Sequence, residues 1–147
     1  MDTRDDSLFF KLVLIVNLTT APFSRGPQRA HGLTLTEWRV LRTLALAPGL
    51  AGADIAGQLG VDRMSVSRAV RGLEAAGRVQ RRAAPGDNRR DALFLTERGR
   101  AVHAAIEPGG RAREAELLRD LSDHERAELS RLLDRVVVRA RGLPGSN

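Results

Sequence analysis

At 147 residues the chain is the size of one ordinary domain, large enough for a real core and too small for a multi-domain enzyme. Its formal charge is +6 with an isoelectric point near 11.3, and of its 24 basic residues only Lys11 is not arginine, so its positive charge is guanidinium, the group suited to phosphates and base edges. The absence of cysteine excludes disulfides, thiolate metal sites and a thiol-based oxidant switch; His31, His103 and His124 lack ligand spacing, so neither metal nor cofactor is expected.

Residues 8–18, LFFKLVLIVNL, resemble a leader or a membrane span in composition only. They follow an acidic MDTRDD, contain Lys11 and Asn17, and fall short of the roughly 20 apolar residues that a span needs. The expectation is a soluble, cytoplasmic protein with no membrane partner. A helix that is apolar almost all round needs cover on several sides, most simply from a second subunit. Residues 19–32 hold Pro22, Gly26, Pro27 and Gly32 and read as a loop. Thr34 with Glu37 three residues later forms a capping-box pattern ahead of Trp38, Val40, Leu41, Leu44 and Ala45, and Ala47-Pro48-Gly49 ends that helix.

A short helix over 53–59, a tight turn at Gly60-Val61-Asp62 and a second helix running to about Ala76, stopped by Gly77, give helix-turn-helix order. At about 100° per residue, Val66, Val70 and Leu73 share one face of the second helix. Met64, Arg68 and Arg71 lie opposite, flanked by Ser65 and Ser67, with Arg63 at the start. Arginine grips guanine bidentately, serine reaches phosphates or base edges, and Met64 matches a thymine methyl. An ordinary amphipathic helix with a solvated basic face has the same composition, so the pattern gains its weight from the hairpin next to it in the chain. Residues 78–82 and 92–95 pair as that hairpin around a loop at 83–91 with Pro85-Gly86 turn chemistry, forming a wing whose tip projects Arg89 and Arg90. From residue 62 to residue 100, ten arginines stand against five acids. A coding bias toward GC-rich codons accounts for arginine over lysine but not for this clustering.

Thr96 caps the next helix, in which Ala101, Val102, Ala105 and Ile106 recur at helical spacing before Pro108-Gly109-Gly110, where a kink or break is expected. Ser122 and Glu125 form another capping box, ahead of an apolar stripe at Leu129, Leu132, Leu133, Val136, Val137 and Ala140. The two helical ends either cover the central lobe or join two subunits; the uniformly apolar first helix favours joining. The fold class is therefore mainly α with a small β-hairpin wing. Residues 33–99 form the winged helix-turn-helix that binds double-stranded DNA, and 1–32 with 100–147 supply dimerisation helices.

Taken together, LTLTEWRVL, ADIAGQLGV, MSVSRAVRGLEAAG, VQRR and the run Asp87, Arg89, Leu93, Leu95, Thr96 and Gly99, spaced as D-x-R-x-x-x-L-x-L-T-x-x-G, resemble the MarR family of bacterial transcription regulators. The resemblance is close over 33–99 and holds by pattern alone at the helical ends. It implies a homodimer on a pseudo-palindromic operator, with reading helices in successive major grooves. It also implies that Arg89 enters the minor groove, oriented by a salt bridge from Asp87, and that a small aromatic or phenolic effector binds between dimer helices and winged lobe. The DNA-binding set is then Arg63, Met64, Ser65, Ser67, Arg68, Arg71, Arg81, Asp87, Arg89 and Arg90. Phe9, Phe10, His31, Trp38 and Arg39 lie on or beside the segments that would form the effector pocket, although Phe9, Phe10 and Trp38 also fit a plain core. Arg78, at a position usually apolar in such sequences, and the Pro108 break are departures from the family pattern. No nucleophile–base pair or phosphate loop points to an enzyme. The main alternative to a ligand-responsive repressor is an architectural or non-responsive winged-helix DNA-binding protein, of which the architectural kind would show only a weak preference for the promoter region over random DNA.

Overall fold

The computed structural model describes residues 7–20, 30–84 and 87–143, with the backbone alone at 84 and 87–90. Four helix starts are fixed by side chains that satisfy otherwise orphaned amides. In α2 (Leu35–Leu46) the Thr34 hydroxyl accepts from the Glu37 amide at 3.2 Å while the Thr34 amide donates to the Glu37 carboxylate at 2.7 Å. Asp62 caps α4 (Arg63–Ala75), Thr96 caps α5 (Glu97–Leu117), and Ser122 with Glu125 boxes the start of α6 (Asp123–Arg141). Between α2 and α4 lies α3 (Gly52–Leu59), which ends on Gly60 in the left-handed conformation at φ +63°, so the chain turns tightly into Val61 and Asp62.

Strands β1 (Val79–Ala84) and β2 (Asp87–Leu95) pair antiparallel, Val79 opposite Leu95 and Ala83 opposite Asp91, with an irregularity between Ala83 and Ala84. The strands thus extend further toward the tip than the expected 78–82 and 92–95, because the ladder continues through residues that sequence alone marks as loop. Leu50 bridges Leu93, with the Gly49 amide donating to the Leu93 carbonyl at 2.8 Å, so the segment after α2 closes the hairpin's root.

One hydrophobic cluster binds these parts: Leu33, then Val40, Leu41 and Leu44 of α2, Ile55 and Ala56 of α3, Val66, Ala69, Val70 and Leu73 of α4, Val79, Leu93 and Leu95 of the hairpin, and Val102 and Ile106 of α5. The first turns of α5 therefore belong to the same core as the winged lobe. By contrast α1 (Leu8–Thr20) and α6 contain no buried residue.

Two expectations need correction. The chain does not break at Pro108-Gly109-Gly110; α5 runs through all three. Pro108 withholds one amide from the Ala104 carbonyl, but both residues are exposed, and an unpaired carbonyl costs little on a solvated face of a helix. Glu107 also reaches across the proline to Arg111 at 3.5 Å. Nor does β1 start at Arg78. That residue precedes the strand, and its guanidinium turns away to donate to the His31 carbonyl at 2.5 Å, which explains how an arginine occupies a half-buried position that suits an apolar side chain.

Candidate nucleic-acid interface

The inward face of α4 buries Val66, Ala69, Val70 and Leu73, so helical periodicity turns Met64, Arg68 and Arg71 outward. Arg63, Met64, Arg68 and Arg71 are exposed, Met64 at 62%, with Ser65 and Ser67 half-buried beside them. A large apolar side chain held in water among arginines is the combination that a major groove rewards.

The start of α4 is preorganised by a short relay. Asp62 accepts from the Ser65 amide at 2.8 Å and from the Ser65 hydroxyl at 2.6 Å, and that hydroxyl in turn accepts from Arg68 at 3.2 Å. The Ser65 hydroxyl and amide, with a smaller pull from Arg68, hold the Asp62 carboxyl below its usual range, so it stays ionised and keeps the relay oriented. One hydroxyl thus couples the helix cap to the arginine most centrally placed on the outward row.

On the wing, Arg81 is committed to two carboxylates. Its Nε donates to Glu74 at 2.8 Å, one terminal nitrogen donates to the other Glu74 oxygen at 3.3 Å, and the second reaches Asp91 at 3.3 Å. The hydrogen bond it donates to Glu74 is the main reason its affinity for its proton is raised. Arg82, on the opposite face, lies 4.9 Å from the centre of the Phe94 ring. Asp87, Arg89 and Arg90 belong to β2, but their side chains lie outside the described residues.

The five residues expected to form an effector pocket are partly separated. Phe9 and Phe10 stand on the exposed α1, at 76% and 45% exposure, whereas His31, Trp38 and Arg39 are half-buried on or just before α2. Trp38 stacks on His103 of α5, ring centres 5.5 Å apart and planes at 17°. His103 was not among the expected pocket residues. Its position next to Val102, on a helix whose inner face meets α2, was the available signal. Glu107 lies 3.5 Å from His103 and 3.9 Å from Arg42, tying α5 to α2 below the tryptophan. Beside this stack a groove of about 430 Å³ is lined by Leu44, Pro48, Phe94, Arg100 and His103 among others. Among the described residues no three His, Asp or Glu side chains gather as a metal site, and no helix is long and apolar enough to cross a membrane.

Comparison with known proteins bears on this arrangement. The profile of the MarR family matches residues 31–90. An HTH-type transcriptional repressor of Mycobacterium tuberculosis is 32% identical over 136 residues, covering 92% of this chain and 98% of that protein. Among solved structures, a MarR/EmrR family transcriptional regulator from Acinetobacter sp. ADP1 superposes with a TM-score of 0.83 at 25% identity, over 92% of this chain and 95% of that one. A crystal structure of MarR superposes with a TM-score of 0.79 at 29% identity, over 97% of both chains.

Proposed function

The chain belongs to the MarR family and is a DNA-binding transcriptional regulator rather than an enzyme, and from that premise we propose that it works in the cytoplasm as a homodimeric, ligand-responsive repressor of a pseudo-palindromic operator. The observation that carries the reading is the outward row of α4, where Arg68 is held by the Asp62–Ser65 relay between exposed Met64 and Arg71. In this account the lobe over 33–99 reads DNA, α4 entering the major groove with Arg63, Met64, Ser65, Ser67, Arg68 and Arg71. Asp87, Arg89 and Arg90 place the wing over the flanking minor groove, whose negative potential favours arginine. The segments 1–32 and 100–147 join the subunits, apart from the first turns of α5, whose Val102 and Ile106 pack in the lobe's own core. Support for that role comes from α1 and α6, whose apolar side chains are exposed in the single chain. The name of the mycobacterial relative supports repression.

A duplex selected by the protein from random-sequence DNA gives the test. Arg68→Ala is expected to weaken binding to that duplex by roughly 1–3 kcal/mol and to relax preference at one base position per half-site. Equal losses on selected and random duplexes would assign Arg68 to phosphate and remove it from the reading set.

Effector response rests on the aromatic and basic groups at Trp38, Arg39, His31 and His103, which suit an aromatic acid, with Phe9 and Phe10 brought near only by dimer assembly. An effector releases DNA only if it prefers the DNA-free dimer, and by linkage DNA must then weaken effector binding by the same factor. Calorimetric titration with aromatic acids decides this; equal affinities with and without DNA exclude the role.

A further inference from the structure

We propose that Arg81 is a positioning residue that clasps the reading helix to the wing and does not itself contact DNA. The proposal rests on the DNA-reading role of α4 and the wing given above. Across the hairpin Arg81 pairs with Leu93, and partners in an antiparallel ladder share a face. That face is the buried one, since Val79, Leu93 and Leu95 lie on it in the core. The stem of Arg81 therefore leaves the hairpin on the side that meets α4, and the side chain lies exposed at the rim.

There the guanidinium fork is occupied. Two nitrogens grip both oxygens of Glu74, in the last turns of α4, and the third reaches Asp91, two residues along β2 from its ladder partner. Bidentate geometry of this kind fixes direction as well as distance. Turning the guanidinium toward a phosphate would strip two carboxylates of their partner. Besides the clasp, α4 meets the hairpin through their shared core and through the link Ala76, Gly77 and Arg78, with Gly77 in the left-handed conformation at φ +66°; the clasp adds a directional polar tie at the rim. A two-stranded hairpin is marginal in isolation, so its direction depends on such ties. Because α4 and the wing must meet adjacent grooves together, fixing the angle between them is a requirement for binding a defined site. Arg82 cannot replace the clasp, because it projects from the opposite face over Phe94.

The clasp and a direct DNA contact predict opposite effects for Glu74→Gln. That change removes a negative charge beside the DNA, which by Coulomb attraction alone strengthens binding, and it frees Arg81 to reach a phosphate. If Arg81 acts through Glu74, the same change weakens binding. The experiment measures affinity of the full-length protein for the selected duplex and a random duplex over a range of salt, for the parent, Arg81→Ala, Glu74→Gln and the double variant, with Arg68→Ala as the control for α4. The expected result is a loss of roughly 5- to 30-fold on the selected duplex for both single variants. The double variant is expected to be no worse than Arg81→Ala. On the random duplex the single variants should shift only slightly and in the directions their charge changes require, Glu74→Gln up and Arg81→Ala down, with the salt slope near the parent's. Exposed ion pairs add little stability, so all variants should melt close to the parent; a Glu74→Gln protein that unfolds makes the pair structural and overturns the proposal.

Two further outcomes overturn it. One is Glu74→Gln binding at least as tightly as the parent while Arg81→Ala loses equally on both duplexes, its salt slope falling by about one, as for a lost phosphate contact. The other is both variants binding like the parent. Loss of the parent's own preference for the selected duplex, or an Arg68→Ala protein that keeps it intact, would instead count against the reading of α4, whatever the clasp does.

Discussion

Deleting residues 123–147 is expected to abolish dimerisation and to yield a protein that aggregates or unfolds. The basis is two apolar surfaces without a partner in the winged lobe. On α6, Leu129, Leu132, Leu133, Val136 and Val137 recur at helical spacing and are all exposed, and on α1 every residue from Leu8 to Leu18 is exposed. Monomeric proteins rarely leave contiguous apolar patches beyond a few hundred Å² in water, and a helix of 13 residues is marginal without packing. In the proposed dimer each surface covers the other across the two-fold axis, so removing α6 uncovers α1 as well. Folding of the parent should then depend on protein concentration, and that dependence should vanish in the truncated chain. A soluble, folded monomer from the truncation, measured by light scattering, would refute the assignment of the ends to dimerisation.

Gly99→Ala is expected to destabilise the winged lobe strongly for the addition of one methyl group. A Cβ at this position would sit 2.0 Å from the Arg78 carbonyl oxygen and 3.0 Å from its carbon. Both are backbone atoms, so no side chain can rotate away. The carbonyl is also held in place, since it accepts from the Thr96 amide at 3.0 Å while the Thr96 hydroxyl donates to the Gly77 carbonyl at 2.7 Å. Relief requires α5 to lift from the hairpin root, which draws Val102 and Ile106 out of the core. The expected loss is about 3 kcal/mol or more, at the upper end of overpacking effects, or roughly 6–12 °C in melting temperature for a chain of this size. Gly109→Ala in the same helix is the control: nothing lies within 4 Å of its added Cβ, and helix propensity alone predicts a gain of up to about 1 kcal/mol. A Gly99→Ala protein that melts with the parent would show that the close approach is not required.

Local chemistry made most of this fold legible. Thr34, Asp62, Thr96 and Ser122 each mark a helix start because a short polar side chain with a free amide three residues on is a local event, decided within one turn. The outward row of α4 comes from period alone. What escaped depends on contacts between distant segments. Pro108 normally ends a helix, and although the Glu107–Arg111 pair across it is local, that this side of α5 faces water is set by how the helix packs on the lobe. Arg78 accommodates its charge by reaching His31, 47 residues away. Arg81 and Arg82 are indistinguishable as neighbours in a basic run, yet strand alternation, applied from Val79 onward, puts Arg81 on the inner face and Arg82 on the outer. The Trp38–His103 stack joins α2 to α5, so the tryptophan could be singled out from sequence but not its partner 65 residues on.

The central claim is that two copies of α4 read one site in symmetric register. Hydroxyl-radical footprinting of the parent on its selected duplex tests this most directly. The predicted result is a two-fold symmetric pattern: two protected stretches centred about one helical turn apart, roughly 34–36 Å, each with a weaker flank where the wing lies, saturating at two chains per duplex. Uniform protection without a dyad, or a single protected stretch saturated by one chain, would contradict it.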